Sequence, residues 1–216
     1  IQIISNAIRD NGWQDWCHFM PLEHNGGFAY GNNEAIKASL PLGTGERQSG
    51  ERGPDLVWLL NPDTLVLEGA LTELIAFMQS HPDAGIAGGR AENRDGTVRR
   101  SCFRFHSALG ELVDALQFGP ASKALRNYVV APNVPGVPTR MDWVSGASMM
   151  IRREVFEKIG LLDDGYFMYF EETDFCLRAA RAGFECWYVP TSRIIHLVGQ
   201  SSGVTGAKRS AKRRPK

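Results

Sequence analysis

Residues Trp143 to Phe184 read WVSGASMMIRREVFEKIGLLDDGYFMYFEETDFCLRAARAGF. The apolar stretch WVSGASMMI is short enough for a buried strand, and RREVFEKIG follows at once as a short helix with Gly160 as its stop. A second helix is expected over Glu172 to Ala182, closed by Gly183. Between the two, Glu171, Glu172 and Asp174 follow directly on Tyr166 to Phe170, an aromatic and apolar run that reads as core. On a helix Glu171 and Asp174 share a face, while Glu172 is turned away by about 100°. The neighbouring glutamates therefore have different jobs. Acids favour a first helical turn because its free N–H groups stabilise negative charge. The same field keeps a carboxylate ionised at the edge of an apolar pocket, where it can act as a general base. The residues alone allow both readings.

Outward from this stretch, strands and helices alternate. ECWYVP and RIIHLVG follow as two extended segments. Upstream lie the strand AGIAGGRA and the segment NRDGTVRR, whose Asp-Gly pair marks a hairpin turn. Glu68 to Ser80 is an amphipathic helix, with Leu71, Leu74, Ile75 and Met78 at helical spacing. LVWLLNPDT is a continuous apolar run ending at a polar turn, the pattern of a central parallel strand. LEHNGGFAYGNNEAIKASL is a loop running into a helix from about Asn32, and Ile1 to Ser5 reads as a buried strand. Residues 41–55 and 118–141 read as surface loops. No internal repeat is present. The expectation is an α/β fold whose mixed, mainly parallel sheet is flanked by helices.

The 216 residues suit one domain with a full core, and 43% hydrophobic against 22% charged content is that of a soluble globular chain. Its longest apolar runs are too short to cross a bilayer. The chain opens at Ile1 without a Met, in what reads as a strand, so residues are expected to be missing before it. Lys208 to Lys216 hold six basic residues and no acid, which leaves 18 basic against 24 acidic residues elsewhere. Such a tail is a solvated, disordered end or a patch drawn to an anionic membrane surface. Nucleic acid is not expected, because no aromatic residues interleave with the charge. Cys17, Cys102, Cys176 and Cys186 lack CxxC spacing and read as reduced thiols of a cytoplasmic protein.

Asp63 stands just past a strand end in LLNPDT, where open α/β sheets bind ligands. A carboxylate there can hold a divalent cation bridging phosphate oxygens, although Asn-Pro-Asp also makes an ordinary turn and cap. His196 ends RIIH, and is either a structural histidine or a second donor to that cation.

Taken in order, NGGFAYGNNEAI, LLNPDT, the Trp143–Phe184 stretch and HLVGQSSG resemble the family 2 glycosyltransferases, most of all their rhamnosyltransferase-like branch. The resemblance covers about residues 1–203. It implies a GT-A fold as a single domain over 1–203, with a nucleotide-sugar half over 1–100 and an acceptor half over 101–203. Residues 204–216 would be the basic tail. It implies an inverting enzyme that moves a sugar from a nucleoside diphosphate to an acceptor hydroxyl with Mg²⁺ or Mn²⁺. By position, Asp63 would be the metal ligand, with Asn61 in place of the motif's first acid, and His196 would join it. Glu172 would be the catalytic base. Glu171, Trp143 and Gly146 would meet the acceptor; Asn32 and Asn33 would lie near the nucleotide sugar. Asn6 would do so too, in the Ser-Asn-Ala-Ile that stands where the family has Asp-Asn-Ala-Ser, with Ser5 replacing the acid. The family also begins one strand earlier and continues past the basic end, so truncation at both ends is implied. Expected partners are dTDP-rhamnose or a UDP-sugar and a saccharide or lipid-linked acceptor for cell-surface polysaccharide, at the inner face of the membrane. A catalytically silent nucleotide- or carbohydrate-binding fragment is the alternative. A glycoside hydrolase ranks low, because its two acids must face each other across the sugar.

Overall fold

A computed structural model describes residues 1–40, 53–106, 130 and 132–197. The basic tail, and most of the two loops expected at 41–55 and 118–141, lie outside the described residues. Five helices are described: α1 (Gln2–Asp10), α2 (Gly27–Ser39), α3 (Ala70–Ser80), α4 (Arg153–Ile159) and α5 (Glu171–Arg181). The strands are β1 (Leu56–Leu60), β2 (Thr64–Val66), β3 (Ala84–Glu92), β4 (Val98–Arg99), β5 (Cys102–Phe103), β6 (Thr139–Met141), β7 (Trp143–Val144), β8 (Ser148–Arg152) and β9 (Glu185–His196).

The main sheet runs β1-β8-β3-β9-β2, with β4 added to β3 and β6 to β9; β5 and β7 form a separate pair. The sheet is mixed, as expected, but among the described residues only β3 and β9 pair in parallel, where a parallel majority was expected. LVWLL is β1, yet it pairs antiparallel with β8 and not as a central parallel strand. Side chains alternate between two cores with the period of a pleated strand. Ile86, Met149, Ile151 and Tyr188 face α2, α4 and α5. Ala87, Met150 and Val189 face Leu74, Phe77 and Met78 of α3. Helices thus cover both faces. No helix among the described residues is long and apolar enough to cross a membrane.

Several local expectations hold. The Asp95-Gly96 turn joins β3 to β4 with Ala91 opposite Arg99, and Gly96 adopts φ 78°. Gly160 ends α4 and Gly183 follows α5, both at positive φ. Others need correction. Ile1 to Ser5 is no buried strand but the start of α1, a helix with no buried residue in which Ile3 is 85% exposed. A strand needs a neighbour to satisfy its backbone, and this segment pairs with no strand among the described residues; a helix satisfies it internally. The helix expected from Asn32 begins five residues earlier, at Gly27. WVSGASMMI is divided into β7 and β8 by a turn at 145–147. ECWYVP and RIIH join into β9, whose register against β3 slips between Val189 and Arg193. Pro190 sits at that slip, where its missing N–H costs no ladder bond. Tyr166 to Phe170 is not core: all five side chains are exposed.

Candidate active site

Two corners meet at the turn between β7 and β8. The first is built by the Asn61-Pro62-Asp63 turn after β1. Thr64 closes it by donating from N and Oγ1 to the Asn61 carbonyl, at 3.2 and 2.7 Å. The β2–β9 register sets Thr64 opposite His196, and Leu197 N donates to the Asp63 carbonyl at 2.8 Å. This pairing carries the histidine to the aspartate across 133 residues of chain. Asp63 Oδ1 lies 3.2 Å from His196 Nε2, and both side chains are largely buried. Asn61 Nδ2 lies 3.4 Å from the same ring nitrogen. One imidazole nitrogen cannot accept from Asn61 and donate to Asp63 at once, so the tautomer selects between them.

These residues fit a divalent cation. With the proton on Nδ1, His196 Nε2 and the Asp63 carboxylate offer a nitrogen and oxygens side by side. Asn61 Oδ1 is buried and has no hydrogen-bond partner among the described residues, an acceptor left without a donor. Such a set suits Mg²⁺ or Mn²⁺, which bind through one or two protein ligands and take further oxygens from a phosphorylated ligand. Among the described residues no group of three or more His, Cys, Asp or Glu forms a cage, so the cation would be shared with the ligand.

The second corner is the start of α5. Glu171 is 4% exposed and lies on the helix face that carries Phe175 and Ala179 into the core. Glu172 is turned aside and half-buried. Burial pushes the Glu172 carboxyl up to about 6, and the neighbouring Glu171 charge adds to this. The N–H groups of Glu172 itself and of Gly146 pull the other way. One oxygen of each glutamate is buried without a hydrogen-bond partner among the described residues. A carboxylate poised near neutrality, with acceptor capacity to spare, is equipped to take a proton. Asp174 does none of this. It pairs with Arg178 at 2.7 Å, and Arg178 also donates to the carbonyls of Ile159 and Leu161.

The turn at 145–147 joins the corners. Ala147 O accepts from Asn61 N at 3.2 Å, while the Gly146 N–H favours the charged form of Glu172. Adjacent residues of one turn thus border the cation corner and the base corner.

The remaining expected residues are more scattered. Trp143 stacks on Phe103 with centroids 4.1 Å apart and donates to the Arg104 carbonyl. Asn32 donates to the Phe28 carbonyl within α2. Asn33 is buried, and its amide both donates to and accepts from the Leu162 backbone, at 2.8 and 3.1 Å. Asn6 lies on α1 and accepts from Arg9 of the same helix. Sequence reasoning passed over Phe28. Arg178 carried a signal, since an Arg four residues after an Asp on a helix is a ready pair. Phe28 carried none.

The family described as "Glycosyltransferase like family 2" matches residues 22–214. The chain is 28% identical over 220 residues to the N-acetylglucosaminyl-diphospho-decaprenol L-rhamnosyltransferase of Mycobacterium tuberculosis, covering 93% of this chain and 68% of that protein. It is 30% identical over 177 residues to the low-salt glycan biosynthesis hexosyltransferase Agl10 of Haloferax volcanii, covering 78% of this chain and 49% of that one. Among solved structures, GalNAc-T7 with UDP, GalNAc and Mn²⁺ superposes with a TM-score of 0.60 at 15% identity. That match covers 91% of this chain and 36% of the other, and shows the fold alone.

Proposed function

Because the chain belongs to glycosyltransferase family 2, we propose that it is an inverting sugar transferase that uses a nucleoside-diphosphate donor, rhamnose being the sugar. Its acceptor is a saccharide on a lipid diphosphate carrier, a reading supported by the mycobacterial relative's name. The observation that carries the proposal is the turn at 145–147, which accepts from Asn61 on one side and borders Glu172 on the other.

In the reaction, an acceptor hydroxyl oxygen attacks the anomeric carbon from the face opposite the diphosphate. The new C–O bond forms as the bond to the diphosphate oxygen breaks, and the electron pair leaves with the nucleoside diphosphate. Glu172 takes the hydroxyl proton, which is worth on the order of 10²–10⁴-fold in rate. Glu171, buried with an oxygen to spare, accepts a hydrogen bond from another acceptor hydroxyl and so orients it. Asp63 and His196, with Asn61 beside them, would hold Mg²⁺ or Mn²⁺. When bound, the ion supplies Lewis-acid stabilisation of the departing diphosphate. Asn32 extends the donor side; Trp143 and Gly146 border the acceptor side. The nucleotide-sugar half over 1–100 and the acceptor half over 101–203 meet at this turn. The reaction takes place at the cytoplasmic face of the membrane, and the basic residues between Lys208 and Lys216 draw the protein to anionic lipid.

The test is transfer from dTDP-rhamnose to N-acetylglucosaminyl-diphospho-polyprenol in Mn²⁺, with the product's anomeric configuration read by NMR. A new glycosidic bond of inverted configuration is expected. Retained configuration, or no transfer by the folded protein, overturns the proposal; the second outcome leaves a silent binding module.

A further inference from the structure

We infer that Gly27 is a positioning residue for the base: its bare Cα is the seat on which the chain leading into Glu172 rests. The inference builds on Glu172 as the base. A Cβ added at Gly27 would overlap the Phe167 carbonyl oxygen and lie 2.9 Å from its carbon. Both are main-chain atoms, so no side-chain rotation relieves the overlap. Gly27 also holds φ 87°, the left-handed region that residues with a Cβ avoid. Asn25 fixes it there by accepting from Gly27 N–H at 3.1 Å.

The segment above needs such a seat. Tyr169 and Phe170 are the only non-glycine residues at positive φ among the described residues, at 69° and 73°, and they are consecutive. Two bulky residues in that region are held only when their surroundings over-determine them. Burial does not hold these: the five side chains from Tyr166 to Phe170 are 38–67% exposed. The main chain holds them instead: Asp174 N donates to the Phe170 carbonyl at 2.8 Å at one end, and Phe167 rests on Gly27 at the other. Phe170 is also the N-cap of α5, so its φ and ψ aim the first turn, and with it Glu171 and Glu172.

The contact closes a ring. Phe28, next to Gly27, presses against Gly146 so closely that a Cβ there would meet its ring at 2.8 Å. The Gly146 N–H in turn favours the charged form of Glu172. The first turn of α2 is therefore wedged between the two elements that place the base, with the 166–170 chain on one side and the 145–147 turn on the other. Asn33 pins the same helix to Leu162, just ahead of that chain.

The test compares Gly27→Ala with Gly69→Ala. Gly69 has φ 80° and nothing within 4 Å of an added Cβ, so it carries the same backbone penalty without the overlap. Gly27→Ala is expected to lower kcat by about 10- to 100-fold, the scale lost by a slightly misplaced reacting group, with donor KM unchanged. It is also expected to speed chymotrypsin cleavage between Tyr166 and Phe170, located by mass spectrometry. Gly69→Ala should do neither. Equal behaviour of the two variants overturns the inference. Should Gly27→Ala not fold, the wild type decides: resistance of these exposed aromatics to chymotrypsin supports a held segment, and cleavage as fast as in an unfolded peptide refutes it. Glu172→Gln separates the layers. If that variant keeps full activity, the base assignment falls, while the cleavage comparison still judges the seat.

Discussion

Glu172→Gln should make the protein less active and more stable at once. The carboxyl is raised to about 6 from an ordinary value of 4.5, chiefly by burial. A raised acid is protonated more readily in the folded chain than in the unfolded one. Stability from this group is therefore fully present below pH 4.5 and is lost as pH rises to about 6 and beyond. That rise corresponds to about 2 kcal/mol at pH 8. Glutamine is neutral at every pH, keeps an oxygen for the Gly146 N–H and matches the protonated acid in shape. Urea unfolding at pH 8 should show the variant more stable by up to about 2 kcal/mol, and the gap should close near pH 4. Transfer activity should fall by about 10²–10⁴-fold, and the wild-type kcat/KM should rise with pH through about 6. A variant that is less stable at pH 8, or a gap that does not close in acid, would refute the reasoning that burial dominates the Glu172 environment.

Other perturbations follow from neighbouring contacts. Asn33→Ala leaves the buried N–H and C=O of Leu162 without partners and should cost about 2–5 kcal/mol in denaturant unfolding. Arg178→Lys should not rescue what Arg178→Ala loses, about 2–4 kcal/mol, because one ammonium cannot reach Asp174 and the Ile159 and Leu161 carbonyls in the same fork. Glu92 is buried against Arg193 and Arg90, and the Arg193 guanidinium holds its carboxyl below the ordinary value. Its stabilisation is present above pH 4.5 and lost as pH falls through the lowered value. Glu92→Gln should therefore flatten the acid end of a stability profile, and an unchanged acid limb would contradict the pairing.

Much of this could be read from one dimension, and the reason is local. The Asp95-Gly96 turn, the Gly160 stop and the Asp174–Arg178 pair are set within a few residues, so spacing is enough to find them. That Glu171 and Glu172 point to different sides follows from helix geometry alone. The approach of His196 to Asp63 rests on strand pairing across the sheet, which single-chain periodicity does not encode; the family resemblance supplied it. Three readings went astray where tertiary context decides. Ile1 to Ser5 has strand composition but pairs with no strand among the described residues. β1 has the continuous apolar run of a parallel strand but takes an antiparallel neighbour. Tyr166 to Phe170 has the composition of core, yet lies on the surface beside the base. The seat at Gly27 was beyond reach, since a backbone contact between residues 27 and 167 leaves no trace except a glycine.

The most direct measurement is calorimetric titration of dTDP into the wild type, Asp63→Ala and Glu172→Gln, each with and without Mn²⁺. Two corners with separate duties require that the wild type and Glu172→Gln bind only with the metal and with similar affinity, while Asp63→Ala does not bind. Binding that ignores the metal, or that survives Asp63→Ala unchanged, would contradict the cation corner and with it the proposed donor site.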